Sequence, residues 1–419
     1  MEPFHAIAAL ITLAAVFAYL NHHFLKMPMT IGLMFMSLVV SLAMILLDRF
    51  GLPVADQVTR QIGQLDFSHL LLDGMLGLLL FAGALHVNLN DLMDRRLEIT
   101  IFATFGVIAS TFLVGSSVYY LSQAMGLGLR YVDSLLFGAL ISPTDPIAVL
   151  GILKKAGAPR SLEIKIAGES LFNDGIGVVV FLLLLEIANG SPDATVGHAL
   201  ALFAKEALGG AVFGLVAGYI AYRLLKSLDE HRVELMITLA LATGGYTLAG
   251  VLHLSAPIAI VLAGLLIGNR GRRLAMSDTT RENLDTFWEL VDAILNAVLF
   301  VLIGLEVMIL ALTGKYILAG LIAVPITLLA RFISVGLPVS LMRGFRTFSP
   351  RSVRVMTWGG LRGGISVALA LSLCAQCQRE LILTMTYVVV VFSVLVQGLT
   401  IKRVVQGPKS KRQDIETQS

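Results

Sequence analysis

Three acidic residues stand inside long apolar segments of this sequence, where an ionised side chain is hard to bury. Asp145 lies in a break flanked by prolines, and Glu169 and Asp174 follow in the next apolar segment. A charge at the centre of a bilayer costs about 2.5–3.5 kcal/mol on insertion scales, so such residues usually mark an ion path or a buried pair. On a helix, positions 169, 170, 173 and 174 share an arc of about 140°, which gives one face two carboxylates, a hydroxyl and an amide.

This set of oxygen atoms suits a small monovalent cation. Sodium is a hard ion, and Asp174, Asp145, Thr144 and Ser170 could bind it together with carbonyls freed by the proline break. Withdrawing a carboxylate from water favours its protonated form, so a proton and a cation can compete for one group. Asp174, beside Gly175, is the predicted carrier of either ion. The alternative is that Asp145 or Asp174 only caps a broken helix.

Two arginines also fall inside apolar segments. We predict a buried ion pair between Glu169 and Arg331, and positive charge from Arg362 where broken helices cross. A structural role is favoured for all three, and the sequence leaves open which arginine pairs with Glu169. Most of the remaining acidic residues of the apolar segments are interpreted as interfacial or packing residues: Glu186, Glu206, Asp292 and Glu306. Glu306 fits this interpretation least well, because its span is otherwise apolar around it.

The composition indicates a membrane protein. Hydrophobic residues make up 57% of the 419 residues and charged residues only 14%, with a mean hydropathy of +0.85, whereas soluble domains carry about 25% charged residues. Apolar runs of roughly 20 residues, long enough to cross a bilayer, recur throughout. The net charge of +3 is spread over short clusters, which gives no continuous basic face for nucleic acid.

These runs predict an all-α polytopic protein of about thirteen transmembrane helices. The first run lacks a preceding basic region, so we expect a retained helix rather than a signal peptide. The predicted spans are residues 4–24, 29–47, 68–87, 99–124, 133–153, 162–188, 198–225, 233–252, 256–269, 287–312, 315–341, 352–375 and 380–401.

Basic residues predict the orientation. Most of the 31 lysines and arginines lie in alternate connections, and cytoplasmic loops are enriched in both residue types. We therefore expect a bacterial inner-membrane protein with the N-terminus outside and the C-terminus in the cytoplasm. Residues 1–403 would form a single membrane domain, followed by a short cytoplasmic tail at 404–419.

Thirteen spans divide into six, a linker helix and six, which puts the two halves in opposite orientations. Inverted repeats of this kind place the site of a transporter near the midplane, beside discontinuous helices at corresponding positions. The fifth span of the first half contains Ser-Pro-Thr-Asp-Pro at 142–146, and that of the second half contains Trp-Gly-Gly-Leu-Arg-Gly-Gly at 358–364. We predict that helices 5 and 12 are broken and cross there, although ordinary kinks would give the same pattern.

The only cysteines, Cys374 and Cys377, are too few for a disulfide framework or a four-ligand metal site. We interpret this C-x-x-C spacing as incidental, with a redox role as the alternative.

Taken in order, these motifs resemble the NhaP/NHE-type sodium/proton antiporters of the monovalent cation:proton antiporter superfamily. They are Thr-Asp-Pro at 144–146, Glu-Ser-Leu-Phe-Asn-Asp at 169–174, Arg331 and Gly-Gly-Leu-Arg-Gly-Gly at 359–364. The resemblance implies a homodimer in which a core moves against a dimerisation domain. The core would contain helices 4–6 and 11–13, about residues 99–188 and 315–401, and the dimerisation domain helices 1–3 and 7–10, about residues 4–87 and 198–312.

The resemblance also implies roles for individual residues. Asp174 matches the carrier carboxylate of the family, and Thr144, Asp145 and Ser170 match residues that help bind the ion. Asn173 stands where electrogenic relatives have a second aspartate, which implies electroneutral exchange of one cation for one proton. We expect no long cytoplasmic tail of the kind through which many eukaryotic relatives are regulated.

The expected function is therefore exchange of Na⁺ or Li⁺ for H⁺ in pH homeostasis, with no cofactor besides the transported ions. A K⁺/H⁺ antiporter of the same fold is an alternative, because the same ligands suit either cation. A cation channel is a different class and fits a single carrier carboxylate poorly. An enzyme is not expected, because Ser170 has no nearby His or Lys base and the sequence contains no G-x-S-x-G elbow.

Overall fold

The structure is a computed structural model that describes residues 3–50, 67–190, 196–310, 313–344, 346, 348–349 and 351–406. Residues 407–419 of the predicted cytoplasmic tail lie outside the described residues. Residues 404–406 are the last residues of a helix rather than the beginning of a separate tail.

Thirteen helical spans follow one another in the described part of the chain, as predicted. Ten of them are long and apolar enough to cross a membrane by length and composition, and the other three are α5, α9 and α12. The spans are α1 Pro3–Leu20, α2 Met29–Arg49, α3 Phe67–Leu85, α4 Arg96–Ala124, α5 Tyr131–Ile141 and Ile147–Ala156, α6 Arg160–Ala188, α7 Val196–Lys226, α8 His231–Val251, α9 Ala256–Leu266, α10 Asp278–Leu305, α11 Gly314–Met342, α12 Ser352–Trp358 and Gly364–Leu371, and α13 Arg379–Gln406.

The helices that carry the site begin with clear sequence signals. Pro159 immediately precedes α6, where its missing N–H costs no helical hydrogen bond. Ser277 precedes α10, and its side chain accepts a hydrogen bond from the Thr280 N–H. At 29 residues, α6 is about 43 Å long and exceeds the roughly 30 Å of a hydrocarbon core. It can therefore present polar residues at one end and still cross the bilayer.

Helices α5 and α12 are each interrupted, at corresponding positions of the two halves. The first half of α5 ends at Ile141, and that of α12 ends at Trp358. The extended segments between the halves meet as an antiparallel bridge, in which the Asp145 N–H donates to the Leu361 carbonyl at 2.8 Å. The two breaks thus satisfy part of each other's backbone hydrogen bonding. This geometry confirms the prediction of broken, crossing helices 5 and 12.

Packing around the crossing is close and extends over both halves of the chain. Helix α10 packs on α2, α9 packs on α3 and α7, and α11 packs on α4 and α13. Small residues allow the closest approaches, as is common in membrane proteins. Gly214 of α7, for example, lies directly against the backbone of Ala259 in α9.

The C-x-x-C sequence forms a disulfide. Cys374 and Cys377 are joined in the connection between α12 and α13. The interpretation of this spacing as incidental is therefore wrong, because the 3₁₀ turn at Ala375–Cys377 brings the two residues together.

The contact of Gly214 gives a test of the α7 and α9 packing. Gly214→Ala should destabilise the protein by about 1–3 kcal/mol, since the added methyl group meets the Ala259 backbone rather than a side chain that could move. Thermal unfolding in detergent measures the change. The control is Gly197→Ala in the same helix, where the added methyl group meets no atom of the described residues within 4 Å. Equal unfolding temperatures for the two variants would contradict the described packing.

Candidate ion-binding site

The interrupted part of α5 is held against α6 by an amide. Asn173 Nδ2 donates to Thr144 Oγ1 at 2.9 Å, and the Thr144 N–H donates to Asn173 Oδ1 at 3.4 Å. Ser170 Oγ, one turn earlier on α6, donates to the Thr144 carbonyl. Three bonds therefore fix Thr144 where the helical ladder of α5 is lost. Asn173 is fully buried and uses its amide in these bonds.

Asp145 and Asp174 face the same cavity from the two sides of this junction. Asp174 is only 8% exposed, Asp145 is partly buried, and their charges interact. Close packing brings α12 to Asp145, because a Cβ atom on Gly363 would lie 2.5 Å from Asp145 Oδ2. Two neighbouring carboxylates that are poorly hydrated disfavour the doubly ionised state. A proton or a cation at this position relieves that repulsion.

Glu169 pairs with Arg331 rather than with Arg362. Arg331 Nη1 lies 2.5 Å from Glu169 Oε1, and both side chains are buried. The bond joins α6 of the first half to α11 of the second half. Glu169 stands immediately before Ser170 and one turn before Asn173, so the pair connects the polar face of α6 to the second half of the chain.

Arg362 neutralises the end of a helix rather than a carboxylate. Its Nη1 atom donates to the Ser142 and Pro143 carbonyls, each at 3.2 Å, and its backbone N–H donates to Ser393 Oγ at 2.9 Å. Carbonyls at the C-terminal end of a helix lack intrahelical partners and carry partial negative charge. Arg362 satisfies two of them at the break of α5, where the sequence predicts positive charge.

A cavity of about 740 Å³ leads to Asp174 between α6 and α10. On the α6 side it is lined by Glu163, Ala167, Ser170 and Asp174, which recur every three or four residues and so form one helix face. The cavity also reaches Arg160, whose side chain is 76% exposed. It therefore connects the buried carboxylates to the end of the molecule that bears the basic clusters.

Helix α10 lies in apolar packing beyond the residues that line the cavity. Residues of α10 and of the second half of α12 belong to one buried cluster, including Phe300, Ile303 and Val367. The Tyr387 hydroxyl of α13 donates to the Ile303 carbonyl of α10 within this packing.

The α10 wall of the cavity contains polar residues that the sequence analysis did not place in the site. Asp292 and Asn296 both line the cavity, so the interpretation of Asp292 as an interfacial or packing residue is wrong. Their spacing of four residues, immediately before an apolar run, was the available signal. Sequence alone does not give the rotation of α10 that turns this face toward α6.

Crossed broken helices beside buried carboxylates, inside a multi-pass membrane domain, define an ion-coupled secondary transporter. A family model described as the sodium/hydrogen exchanger, transmembrane, matches residues 11–407. The chain therefore belongs to the transmembrane sodium/hydrogen exchanger family, a family of transporters.

Relatives and solved structures agree with this assignment. The chain is 48% identical to the Na⁺/H⁺ antiporter NhaP of Pseudomonas aeruginosa, over 97% of this chain and 96% of that protein. It is 35% identical to the Na⁺/H⁺ antiporter NhaH of Halobacillus dabanensis, over 91% of this chain and 92% of that protein. The fold matches the sodium proton antiporter MjNhaP1 of Methanocaldococcus jannaschii with a TM-score of 0.73 at 18% identity, covering 97% of this chain and 99% of that one. The resemblance seen in the motifs is confirmed.

The pair of Glu169 and Arg331 gives a test of the site's framework. Arg331→Met should destabilise the protein by about 3–5 kcal/mol, because it leaves the Glu169 carboxylate buried without its partner. The double variant Glu169→Gln with Arg331→Met should recover much of that loss. Thermal unfolding of both variants in detergent measures the difference. A double variant no more stable than Arg331→Met alone would show that the two charges are not coupled.

Proposed function

We propose that the protein is a secondary active antiporter that exchanges Na⁺ for H⁺ across the membrane. The observation that carries this proposal is the position of Asp174, a buried carboxylate in the wall of a cavity that reaches the exposed side chain of Arg160. Oxygen atoms that could share a sodium ion with it line the same cavity or adjoin it, namely those of Asp145, Ser170 and Thr144. Sodium as the cation is supported by the relatives, which are named as Na⁺/H⁺ antiporters.

Exchange follows from competition at Asp174. The ionised carboxylate is unfavourable in this poorly hydrated position unless a proton or a cation neutralises it. Sodium binding displaces the proton, and proton binding displaces sodium. Because either ion neutralises the same charge, the site crosses the membrane loaded with one or the other.

Asn173 supports a ratio of one cation to one proton. A second acidic residue at this position could bind a second proton, whereas the Asn173 amide does not titrate and is already bonded to Thr144. The site then carries either one sodium ion or one proton, and both loaded states have the same charge. Transport is electroneutral, and the membrane potential does not drive it.

Alternating access would move the site between the two sides of the membrane. In this proposal helices α4–α6 and α11–α13 form the moving core, and α1–α3 and α7–α10 form the dimerisation domain of a homodimer. The bond between Glu169 and Arg331 lies entirely within the core, so it survives the movement. The described conformation is inward-facing, because its cavity reaches the end that bears the basic clusters.

The same basic clusters give the orientation we propose. The N-terminus lies outside and the C-terminus in the cytoplasm of a bacterial inner membrane. The protein works without a cofactor and contributes to pH homeostasis by moving only its two ions. It catalyses no chemical reaction.

Proton flux in proteoliposomes tests the function and names the cation. With an imposed pH gradient, sodium or lithium should dissipate the gradient in the unmodified protein and potassium should not. Asp174→Asn should abolish the response, because an amide cannot exchange a proton for a cation. Clamping the voltage with valinomycin and potassium on both sides should leave the sodium-driven rate unchanged.

Asp48→Asn is the matched control, since Asp48 is exposed at the end of α2. It should transport normally. A response to potassium alone would replace sodium by potassium in the proposal. Exchange that persists in Asp174→Asn would refute the carrier assignment, and rates that change with voltage would refute the one-to-one ratio.

A further inference from the structure

The wall of the cavity opposite Asp174 has its own polar face. Glu289, Asp292, Asn296 and Leu299 line the cavity from α10, and their spacing of three, four and three residues puts them on one side of that helix. Leu299 lies against Gly364, at the start of the second half of α12. The polar residues therefore lead along α10 from the mouth of the cavity toward the helix crossing.

Asn296 lines this face and has an unsatisfied amide oxygen. It is 3% exposed, and its Nδ2 atom donates to the Asp292 carbonyl at 2.9 Å. Among the described residues, no hydrogen-bond partner is found for its Oδ1 atom. A buried amide oxygen without a partner is costly, so a polar ligand is expected there.

Asp292 adds a negative charge one turn away. Its side chain is partly buried and interacts with that of Asn296, and His86 at the end of α3, which also lines the cavity, acts on its charge. Two further basic residues line the cavity. Lys154 is exposed, and Arg160 is paired with Asp91 at 2.8 Å. Asp292 and Asn296 thus offer a carboxylate and a carbonyl oxygen at neighbouring positions of one cavity wall.

We propose that Asp292 and Asn296 form a second binding site for the transported monovalent cation, on the cytoplasmic approach to Asp174. The inference rests on the proposed function. A hard cation prefers oxygen ligands, and one charged and one neutral ligand suit an ion that keeps part of its water shell. The ion would exchange water for protein oxygens here before it reaches the more buried carboxylate.

Because it lies on α10, the second site should affect sodium binding from the cytoplasmic side of the membrane only. In the proposed mechanism α10 stays with the dimerisation domain, whereas Asp174 on α6 moves with the core. The second site can therefore deliver a cation to Asp174 only while the cavity is open to the cytoplasm. It contributes nothing when the core faces outward. A defect in the protein as a whole would change transport from both sides.

Sodium kinetics in membrane vesicles of both orientations test this sidedness. Everted vesicles expose the cytoplasmic face, and right-side-out vesicles expose the outer face. Asp292→Asn should raise the KM for sodium about tenfold at the cytoplasmic face, the loss expected for one charged ligand. The kcat at that face and the KM at the outer face should stay within about twofold of the unmodified protein. Asp292→Glu should restore most of the cytoplasmic affinity.

Glu289→Gln is the control for electrostatic potential alone. It removes the same charge from the same face of α10, at a position next to the mouth and without the Asn296 oxygen. Its cytoplasmic KM should stay within about twofold. Asn296→Leu should raise the cytoplasmic KM as Asp292→Asn does, and thermal unfolding shows whether that variant is folded.

Three results would overturn the second site. They are an unchanged KM in Asp292→Asn, equal effects of Asp292→Asn and Glu289→Gln, or equal changes at both faces of the membrane. Each of these leaves sodium/proton exchange intact, so they are distinct from a failure of the proposed function. Absence of sodium-dependent proton flux in the unmodified protein would contradict the proposed function and this site with it.

Discussion

The free energy of holding a carboxylate out of water governs this structure. Asp174 is buried and lines a cavity that reaches the exposed side chain of Arg160. An isolated charge in a membrane-spanning helix is costly. In the proposed mechanism Asp174 therefore binds a proton or a cation, and transport uses that cost, because an empty, ionised carrier is the state in which the core is least able to cross the bilayer.

The polar groups around Asp174 have partners inside the protein. Glu169 pairs with Arg331, Arg362 donates to carbonyls at the end of the first half of α5, and the Thr144 N–H donates to Asn173. Without these partners each group would be left unsatisfied or would bind water at the midplane. In the proposed function the ion is then shared mainly by Asp174 and Asp145.

The broken helices make this arrangement possible. A continuous α5 would use its carbonyls in its own helical ladder, whereas the prolines at 143 and 146 release them beside Ser170 and Arg362. The glycines of α12 allow the second break to approach so closely that Leu361 bonds the Asp145 backbone. Prolines interrupt α5 and glycines interrupt α12, so two different residue types produce an interrupted helix at the midplane.

Much of this could be predicted from the sequence, because hydropathy, prolines and intramembrane charges are local signals. They gave the thirteen spans, the breaks in α5 and α12, and the residues gathered around Asp174. Features that depend on how distant helices rotate and pack could not be predicted from these local signals. The role of Arg362 as a partner of carbonyls, the cavity face of α10 with Asp292, and the disulfide between Cys374 and Cys377 all belong to that second group.

Proton release on sodium binding tests most directly whether one carboxylate serves both ions. Purified protein in weakly buffered detergent solution, at a pH where its carrier is protonated, is titrated with sodium while the pH is recorded. The account predicts that sodium binding at Asp174 releases one proton per protein chain, that the release saturates with sodium, and that Asp174→Asn releases none. Sodium binding without proton release in the unmodified protein would contradict it.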